Sequence, residues 1–275
     1  MKNISELEYN KFIALIYEEI GITLSENKQA LLESRFYKRM IHYGLDSYSE
    51  YYDLCLKEYT EKIEMLNLIT TNETYFFREE EHFKFLKEYL IGYSNTTKVK
   101  VWSAASSVGA EAYSIAMLCD SIVPANQWEV LGTDINSHVI KKARMRLYQL
   151  SWSLKIPQEL RHKYCLRGKG KYEGMFLINR ELARNVKFQT NNLLEYNKDL
   201  GTFDIVFLRN VLIYFDKETR QIVIQNIVKN MKVGSYLIIS QTENLNGLNI
   251  IELEQVQSSI FRKVLQREEK ICLTN

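Results

Sequence analysis

A run of apolar residues ends in side chains that are able to bind or position a ligand. The stretch FDIVFLRNV (203–211) has the continuous hydrophobicity of a strand buried on both faces, and it closes with Arg209 and Asn210. The apolar turn behind it presents Tyr214. A guanidinium and an amide at a buried strand end require hydrogen-bonding partners or a ligand. Arg209 could instead form a salt bridge with a neighbouring carboxylate, and the residues alone leave both interpretations open.

A loop of small residues and a later carboxylate form the second candidate group. In SAASSVGAEAYS (103–114) a ligand could approach the backbone before a helix begins, and a helix N-terminus offers free N–H groups. Asp134 lies 25 positions after Gly109, at the end of another β-rich run. A carboxylate at a strand end can accept both hydroxyls of a ribose. A tight turn would explain the small residues equally well, and Asp134 could instead cap the following helix.

Two further polar segments are candidates for the wall of a ligand pocket. In TNNLLEY (190–196), the amides of Asn191 and Asn192 could read the edge of an adenine ring or simply form a turn. In TTNETYFFRE (70–79), polar residues that stop a helix precede two Phe residues and Arg78. This segment fits a pocket wall with an inward guanidinium, and an interhelical turn with a solvated Arg is the simpler interpretation.

Apolar spacing predicts the elements that position these side chains. Residues 6–69 show apolar spacings of three and four, which predicts helices, with Ser25 as the N-cap and Gly44 as the C′ residue of the second. The predicted strands cover residues 98–104, 129–135, 185–190, 203–211, 235–240 and 259–265. Helical stretches separate them, which predicts a doubly wound α/β sheet. We expect a small all-helical domain, a boundary near residues 70–95, and a Rossmann-like domain that binds ligands beyond the carboxyl ends of its strands.

Composition excludes several classes of protein. The 275 residues are 46% hydrophobic and 25% charged, and the net charge of +2 gives no global argument for nucleic acid. The four Cys residues are far apart, which argues against a zinc site or a disulfide framework and for a reducing cytoplasm. The charged N-terminus lacks the apolar core of a signal peptide, and no run reaches the roughly 18 apolar residues of a membrane span. We expect a soluble cytoplasmic protein without a metal ion.

Basic residues share one face of the second predicted helix. Lys28, Arg35, Arg39 and His42 are spaced at i, i+7, i+11 and i+14, beside an apolar face. A solvated amphipathic face is the default interpretation of this pattern. The functional alternative is a docking surface for an acidic partner. Nucleic acid fits less well, because aromatic residues are not interleaved with the charges.

Seven segments, taken in order, match one known family in residue type and spacing. They are GITLSENKQALLESRFYKRM, TTNETYFFRE, VWSAASSVGAEAYSIAML, LGTDIN, NNLL, FLRNVLIYFD and SIFRK. These segments resemble the chemotaxis receptor glutamate methyltransferases (the CheR-type family) from about residue 10 to residue 265. The resemblance implies transfer of a methyl group from S-adenosylmethionine to glutamate side chains on the cytoplasmic helical bundles of chemoreceptors, with S-adenosylhomocysteine as the product.

The resemblance also implies a role for each residue that matches the family's motifs. Tyr214 would lie beside the reacting methyl group, and we expect Tyr214 and Arg78 to position the reacting groups. Glu111 and Asp134 would hold the amino-acid end and the ribose of the cofactor. The other implied cofactor-binding residues are Asn72, Thr74, Arg78, Asn192, Leu193, Arg209 and Asn210. Arg35 and Arg39 of the basic helix would meet the receptor.

The resemblance further suggests how the chain is divided. We expect an N-terminal helical, receptor-facing domain over residues 1–75 and a methyltransferase domain over residues 76–275. Some family members carry a small β-subdomain that grips a receptor tail peptide, and residues 165–185 could hold a short version. Two departures stand out: Ala110 and Ala112 replace an acid and a proline that are common in the family, and SQTENL stands where Gly-His-Ser-Glu-Ser is common.

The implied reaction needs no general base. The reference pKa of glutamate is about 4.3, so the acceptor carboxylate is already ionised near neutral pH. Alignment of the reacting atoms and exclusion of water are what the protein has to supply. Two other functions stay open: a methyltransferase for a small molecule or RNA, and a cofactor-binding scaffold without activity. We expect a monomer that does not insert into a membrane.

Overall fold

A computed structural model describes residues 3–24, 28–93 and 97–265 of the chain. Their N-terminal part is helical, as predicted, and the helices α1 to α4 span Glu6–Ile20, Gln29–Tyr43, Tyr48–Lys57 and Tyr59–Ile69. No helix among the described residues combines the length and the apolar character that a membrane crossing requires.

Local capping and ring packing explain why the first helices form. Ser5 and Glu8 make a capping box at the start of α1, in which the Ser5 N–H donates to the Glu8 carboxylate at 2.9 Å. Gly44 ends α2 with a φ of 65°, which confirms the predicted C′ glycine. Phe12 and Phe36 are fully buried between the helices, with ring centroids 4.7 Å apart.

One predicted helix cap lies outside the described residues, and one helix was not predicted. The predicted N-cap Ser25 lies outside the described residues, and α2 begins after Lys28, whose side chain makes no capping hydrogen bond. A fifth helix, α5 (Glu80–Ile91), was not predicted, because the whole of residues 70–95 was taken as a boundary. Its buried residues follow helical spacing: His82, Phe83, Leu86 and Leu90.

The second part of the chain is built on a seven-stranded sheet. The strands β1 to β10 are Val99–Ala104, Trp128–Asp134, Leu147–Gln149, Cys165–Arg167, Met175–Ile178, Val186–Thr190, Phe203–Leu208, Met231–Ile239, Leu253–Gln257 and Ile260–Lys263. The large sheet has the order β6-β2-β1-β7-β8-β10-β9 and contains all six predicted strands. Its first five strands are parallel, and β10 runs antiparallel to both of its neighbours, β8 and the unpredicted edge strand β9. The sheet is therefore mixed, as is common in large α/β folds.

The strand order reverses at the centre of the sheet. The chain proceeds from β1 to β2 and β6 on one side, and β7 and β8 lie on the other side. Ala104 pairs with Leu208, so the carboxyl ends of β1 and β7 lie side by side. This is the position at which open α/β sheets form a ligand-binding crevice.

Helices cover both faces of the sheet. The helices α6 to α10 span Ala110–Ile122, Ser137–Met145, Gln158–Tyr164, Arg180–Ala183 and Lys217–Lys229. Val99 and Val101 of β1 belong to the core that includes residues of α5 and α6. Trp102 and Ala104 belong to the core that includes residues of α10. Alternate residues of β1 thus pack into two different cores, one on each face of the sheet. This explains why the strand is continuously hydrophobic.

A small antiparallel sheet lies outside the main sheet. Within residues 165–185, the expected β-rich insert, β4 and β5 pair with each other. The third strand, β3, precedes that segment and pairs with β5. A small three-stranded sheet is thus present where the insert was expected, and it begins earlier in the chain than expected.

Amide side chains tie the helical domain to the sheet. Asn136, just after β2, donates to the carbonyl oxygen of Asn67 at 2.9 Å and to the hydroxyl of Thr70 at 2.6 Å. Asn192, just after β6, donates to the carbonyl oxygen of Glu19 at 2.9 Å. These bonds hold the segment between the two domains beside the carboxyl ends of the strands.

Candidate active site

A cavity lies beyond the carboxyl ends of β1, β2, β6 and β7, with about 910 Å³ of free space that includes open solvent at its mouth. The junction segment, residues 70–79, contributes another part of its wall. The lining includes all ten residues to which the family resemblance gives a role at the cofactor or the reacting groups: Asn72, Thr74, Arg78, Glu111, Asp134, Asn192, Leu193, Arg209, Asn210 and Tyr214. Strand ends from both halves of the sheet thus meet the domain junction at one site.

The loop after β1 approaches the cavity with its backbone. Ala105, Ser107 and Gly109 have φ values of 68°, 50° and 87°, in the left-handed region that disfavours large side chains. The Ser107 N–H donates to the Asp134 carboxylate at 2.8 Å, and the Ser107 hydroxyl donates to the carbonyl oxygen of Asn72 at 2.8 Å. The small residues noticed in the sequence therefore allow a strained loop that connects β2 to the junction segment.

Asp134 ends β2 and is 7% exposed. One of its oxygens accepts the N–H of Ser107 and the other accepts the N–H of Asn136 at 2.9 Å. Burial raises the pKa of Asp134, and these backbone hydrogen bonds act in the opposite direction. Each oxygen keeps a further lone pair, so the carboxylate is able to accept two hydroxyl groups. The alternative role as a helix cap is wrong, because the N-cap of α7 is Asn136.

Arg209 is held between two carboxylates. Its side chain is 1% exposed, and Nη1 donates to Oε2 of Glu111 at 2.8 Å. Nη2 lies 3.4 Å from Oε1 of Glu79 and also donates to the carbonyl oxygen of Arg78. The other oxygen of Glu111 accepts the Ser103 hydroxyl at 2.7 Å. The salt bridge that the sequence left open is therefore present, and Arg209 also contributes to the cavity wall.

Glu79 keeps the junction segment in a strained conformation. Phe77 and Glu79 have φ values of 55° and 59°, which are uncommon for residues with side chains. The Glu79 carboxylate accepts the Ser240 hydroxyl and the Gln241 N–H, both at 2.9 Å. Although burial raises its pKa, the charge of Arg209 and these hydrogen bonds outweigh burial, and the pKa of Glu79 lies below its ordinary value. The contacts of Glu79 with Arg209, Ser240 and Gln241 thus stabilise the strained backbone of the junction segment.

Glu243 organises the turn that presents Tyr214. This carboxylate is 7% exposed and accepts the N–H groups of Ser240 and Asn210 at 3.0 Å and of Ile213 at 3.3 Å. Asn210 has a φ of 57°, so the turn begins with a left-handed residue. Burial raises the pKa of Glu243, opposed by the same hydrogen bonds. The sequence pointed to this loop only as a departure from the family pattern and assigned Glu243 no role.

Tyr214 and Asn192 link the cavity to the helical domain. The carbonyl oxygen of Tyr214 accepts the Thr23 N–H at 2.9 Å. Its hydroxyl has no hydrogen-bond partner in the described part of the chain. Besides donating to Glu19, the Asn192 amide accepts the Leu194 N–H at 3.1 Å, so much of its hydrogen-bonding capacity is used within the chain.

Comparison with known families shows what kind of protein contains this cavity. Residues 7–70 match the domain described as "CheR methyltransferase, all-alpha domain", and residues 72–261 match "CheR methyltransferase, SAM binding domain". The chain belongs to the CheR methyltransferase family. The protein is therefore an S-adenosylmethionine-dependent methyltransferase, and the resemblance found in the sequence is confirmed.

Curated relatives of this CheR methyltransferase cover most of its length. The chain is 37% identical over 252 residues to the chemotaxis protein methyltransferase of Salmonella typhimurium, covering 89% of this chain and 86% of that one. It is 34% identical over 250 residues to the protein of the same name from Escherichia coli, covering 89% and 87%. With the Borreliella burgdorferi protein of that name it shares 31% identity over 275 residues, covering 95% of each chain.

The cavity of this CheR methyltransferase suits S-adenosylmethionine chemically. That molecule carries a ribose with two hydroxyls, an amino group and a flat apolar-faced base. The cavity offers the carboxylates of Asp134 and Glu111, and the apolar side chains of Ile135 and Leu193. In the described ranges, no group of three or more His, Cys, Asp or Glu side chains is arranged to hold a metal ion.

Arg35 and Arg39, expected to face a receptor, make bonds inside the helical domain. Arg39 forms a paired hydrogen bond with Glu61, whose side chain is 1% exposed, through Nε at 2.8 Å and through Nη2. Arg35 donates to the carbonyl oxygen of Leu68. The basic residues of this helix region that are exposed are Lys28, Lys38 and His42. The basic face of α2 that the sequence predicted is thus partly used for bonds within the helical domain. Its contact with a receptor stays a prediction.

The buried His82 of α5 should make the stability of the fold depend on pH. It is 1% exposed, its Nε2 lies 2.7 Å from the Ser259 hydroxyl, and burial together with the charge of Arg209 lowers its pKa to about 4. An unfolded His takes up a proton near pH 6.5. As the pH falls from 6.5 towards 4, the unfolded state therefore gains a proton that the folded state does not, and the fold loses stability.

We expect His82→Gln to remove this dependence. Between pH 7.5 and 5 the unmodified protein should lose about 2 kcal/mol more unfolding free energy than the variant, as measured by urea denaturation. His162→Gln, at an exposed position of α8, is the matched control and should behave like the unmodified protein. Equal pH dependence in the His82→Gln variant and the unmodified protein would show that His82 does not titrate differently on folding.

Proposed function

We propose that this CheR methyltransferase methylates glutamate side-chain carboxylates on the cytoplasmic helical segments of chemoreceptors, forming methyl esters for sensory adaptation. The observation that carries the proposal is the convergence of Asp134, Glu111, Arg78 and Tyr214 on one open cavity. The names of the relatives, chemotaxis protein methyltransferases, support receptors as the acceptor class.

In this proposal the strand ends hold the cofactor. Asp134 binds the ribose hydroxyls, and Glu111, kept in place by Arg209, binds the amino-acid end. Asn192 and Leu193 flank the adenine. S-adenosylmethionine, when bound, supplies an electrophilic methyl group on a positively charged sulfur, and S-adenosylhomocysteine remains. The further proposed contacts are Asn72, Thr74, Arg78 and Asn210, and no metal ion takes part.

Tyr214 and Arg78 are the proposed catalytic residues, and their work is positioning. The acceptor glutamate is ionised near neutral pH, so no proton has to be removed from it. The Tyr214 hydroxyl is free of partners in the described chain and is able to donate to a carboxylate. The Arg78 guanidinium lines the same cavity and attracts an anion. Holding the acceptor oxygen in line and excluding water supplies the rate enhancement.

We further propose that α2 faces the receptor, with Arg35 and Arg39 on the contact surface. The Arg39 side chain is 27% exposed beside Glu61, which leaves part of the guanidinium accessible. We propose a division of the chain into residues 1–75 and 76–275. We also propose that the enzyme acts as a monomer in the cytoplasm, without nucleic acid and without insertion into the membrane.

Methylation of receptor membranes tests the proposed function. Incubation with tritiated S-adenosylmethionine and chemoreceptor-containing membranes should transfer label to the receptors, and mild base should release it as volatile methanol, because glutamate methyl esters hydrolyse readily. Receptors whose acceptor glutamates are replaced by alanine are the control and should stay unlabelled. Label that is stable to base, or that enters only small molecules or RNA, would contradict the proposal.

The pH dependence of the rate tests the positioning mechanism. With saturating acceptor, the single-turnover rate should be flat from about pH 6.5 to 8.5, because the acceptor is ionised throughout. Tyr214→Phe should lower this rate by up to about 10²-fold through misplacement of the acceptor, and leave the profile flat. The control Tyr196→Phe, at an exposed tyrosine, should change neither the single-turnover rate nor its pH profile. A rate that requires deprotonation of a group near neutrality, lost in Tyr214→Phe, would establish a general base instead.

A further inference from the structure

Two cations share one aromatic ring beside the cavity. Tyr75 is 41% exposed, and its ring centroid lies 5.6 Å from the guanidinium carbon of Arg78 and 5.7 Å from Nζ of Lys155. Both distances fall within the range of about 6 Å over which a ring face attracts a cation. Arg78 and Thr74 line the cavity on either side of Tyr75 in the sequence, so the ring lies at the edge of the cavity.

Neither cation is neutralised by an acid. Over residues 3–24, 28–93 and 97–265, no carboxylate lies within ion-pair distance of Arg78 or Lys155. Arg209, by contrast, is paired with the carboxylate of Glu111. Glu73, an acid of the junction segment, contacts Arg78 through its carbonyl oxygen at 3.3 Å, not through its carboxylate.

This arrangement favours an anion. Two positive charges close to one ring raise the local electrostatic potential, and this favours the binding of a negative group. The cofactor carries a positive sulfur and a single carboxylate, and that carboxylate belongs to the amino-acid end that the proposed function places at Glu111 inside the cavity. Tyr75 and Lys155 do not belong to the cavity lining. They are therefore placed to contact a part of an acceptor that stays outside the cavity.

We propose that Tyr75, Arg78 and Lys155 form an anion-binding subsite, called here the Tyr75 subsite. It binds a second carboxylate on the acceptor segment, next to the glutamate that is methylated, and so selects acidic protein segments. Tyr75 and Lys155 thereby become specificity-determining residues. This inference rests on the proposed function, because it takes the acceptor to be a carboxylate of a protein.

The Tyr75 subsite has a defined physical signature. An exposed charge pair is worth little, so loss of the Lys155 charge should weaken acceptor binding by about twofold to fivefold. The effect should shrink at about 1 M salt, where the Debye length is about 3 Å. It should appear in the KM for the acceptor rather than in kcat, and the affinity for S-adenosylhomocysteine should stay unchanged.

The test measures peptide binding separately from turnover. Two fluorescent helical peptides carry the acceptor glutamate followed either by a second Glu or by Gln, and their Kd values are measured by fluorescence anisotropy. Lys155→Gln and Tyr75→Leu should each raise the Kd for the Glu-Glu peptide by about twofold to fivefold. The Kd for the Glu-Gln peptide should stay unchanged. Lys155→Arg should restore binding, because Arg keeps the charge and stacks on a ring.

The control is Lys229→Gln. Lys229 also lies over a tyrosine ring, 5.3 Å from the centroid of Tyr196, but it ends α10 near the amino end of β8. This variant should bind both peptides like the unmodified protein. Equal affinity of Lys155→Gln and the unmodified protein for the Glu-Glu peptide would overturn the subsite. If the receptors are not methylated but the enzyme still binds the Glu-Glu peptide more tightly than the Glu-Gln peptide, the proposed function is overturned instead.

Discussion

Arg209 is a fully buried cation, and the geometry of the cavity depends on how its charge is neutralised. Removing a guanidinium from water is costly unless carboxylates and hydrogen bonds compensate for it. Glu111 comes from the first turn of α6 and Glu79 from the junction segment, so the two acids bring separate parts of the chain to the end of β7. Neutralising this one charge therefore aligns the strand end, the helix and the domain junction around the cavity.

A second set of constraints places the groups that face the cavity. The loop after β1 and the turn after β7 both contain left-handed residues, and buried carboxylates hold both in place. Asp134 anchors the first through the Ser107 N–H, and Glu243 anchors the second through Asn210 and Ile213. In this protein, carboxylates that accept backbone N–H groups hold a tight backbone conformation beside the cavity. In other proteins glycine-rich turns have this role.

Much of the site could be predicted because it depends on local pattern. Apolar runs indicate strands, and a polar residue where such a run stops lies at the end of a strand, as Asp134 and Arg209 do. Pairing between distant residues has no such signal. Helical spacing places Arg39 on a surface face, because spacing alone does not show that a buried carboxylate 22 positions later pairs with it. Glu243 was missed for the same reason, since its partners lie 30 and 33 positions earlier.

We propose that the strand ends and the domain junction together bind the cofactor and leave its methyl group facing Tyr214. A crystal structure of the protein with S-adenosylhomocysteine bound is the most direct measurement. We predict density for the ligand in this cavity, with the ribose hydroxyls within hydrogen-bonding distance of the Asp134 carboxylate and the sulfur beside Tyr214. Ligand density elsewhere, or a ribose without contact to Asp134, would contradict the claim.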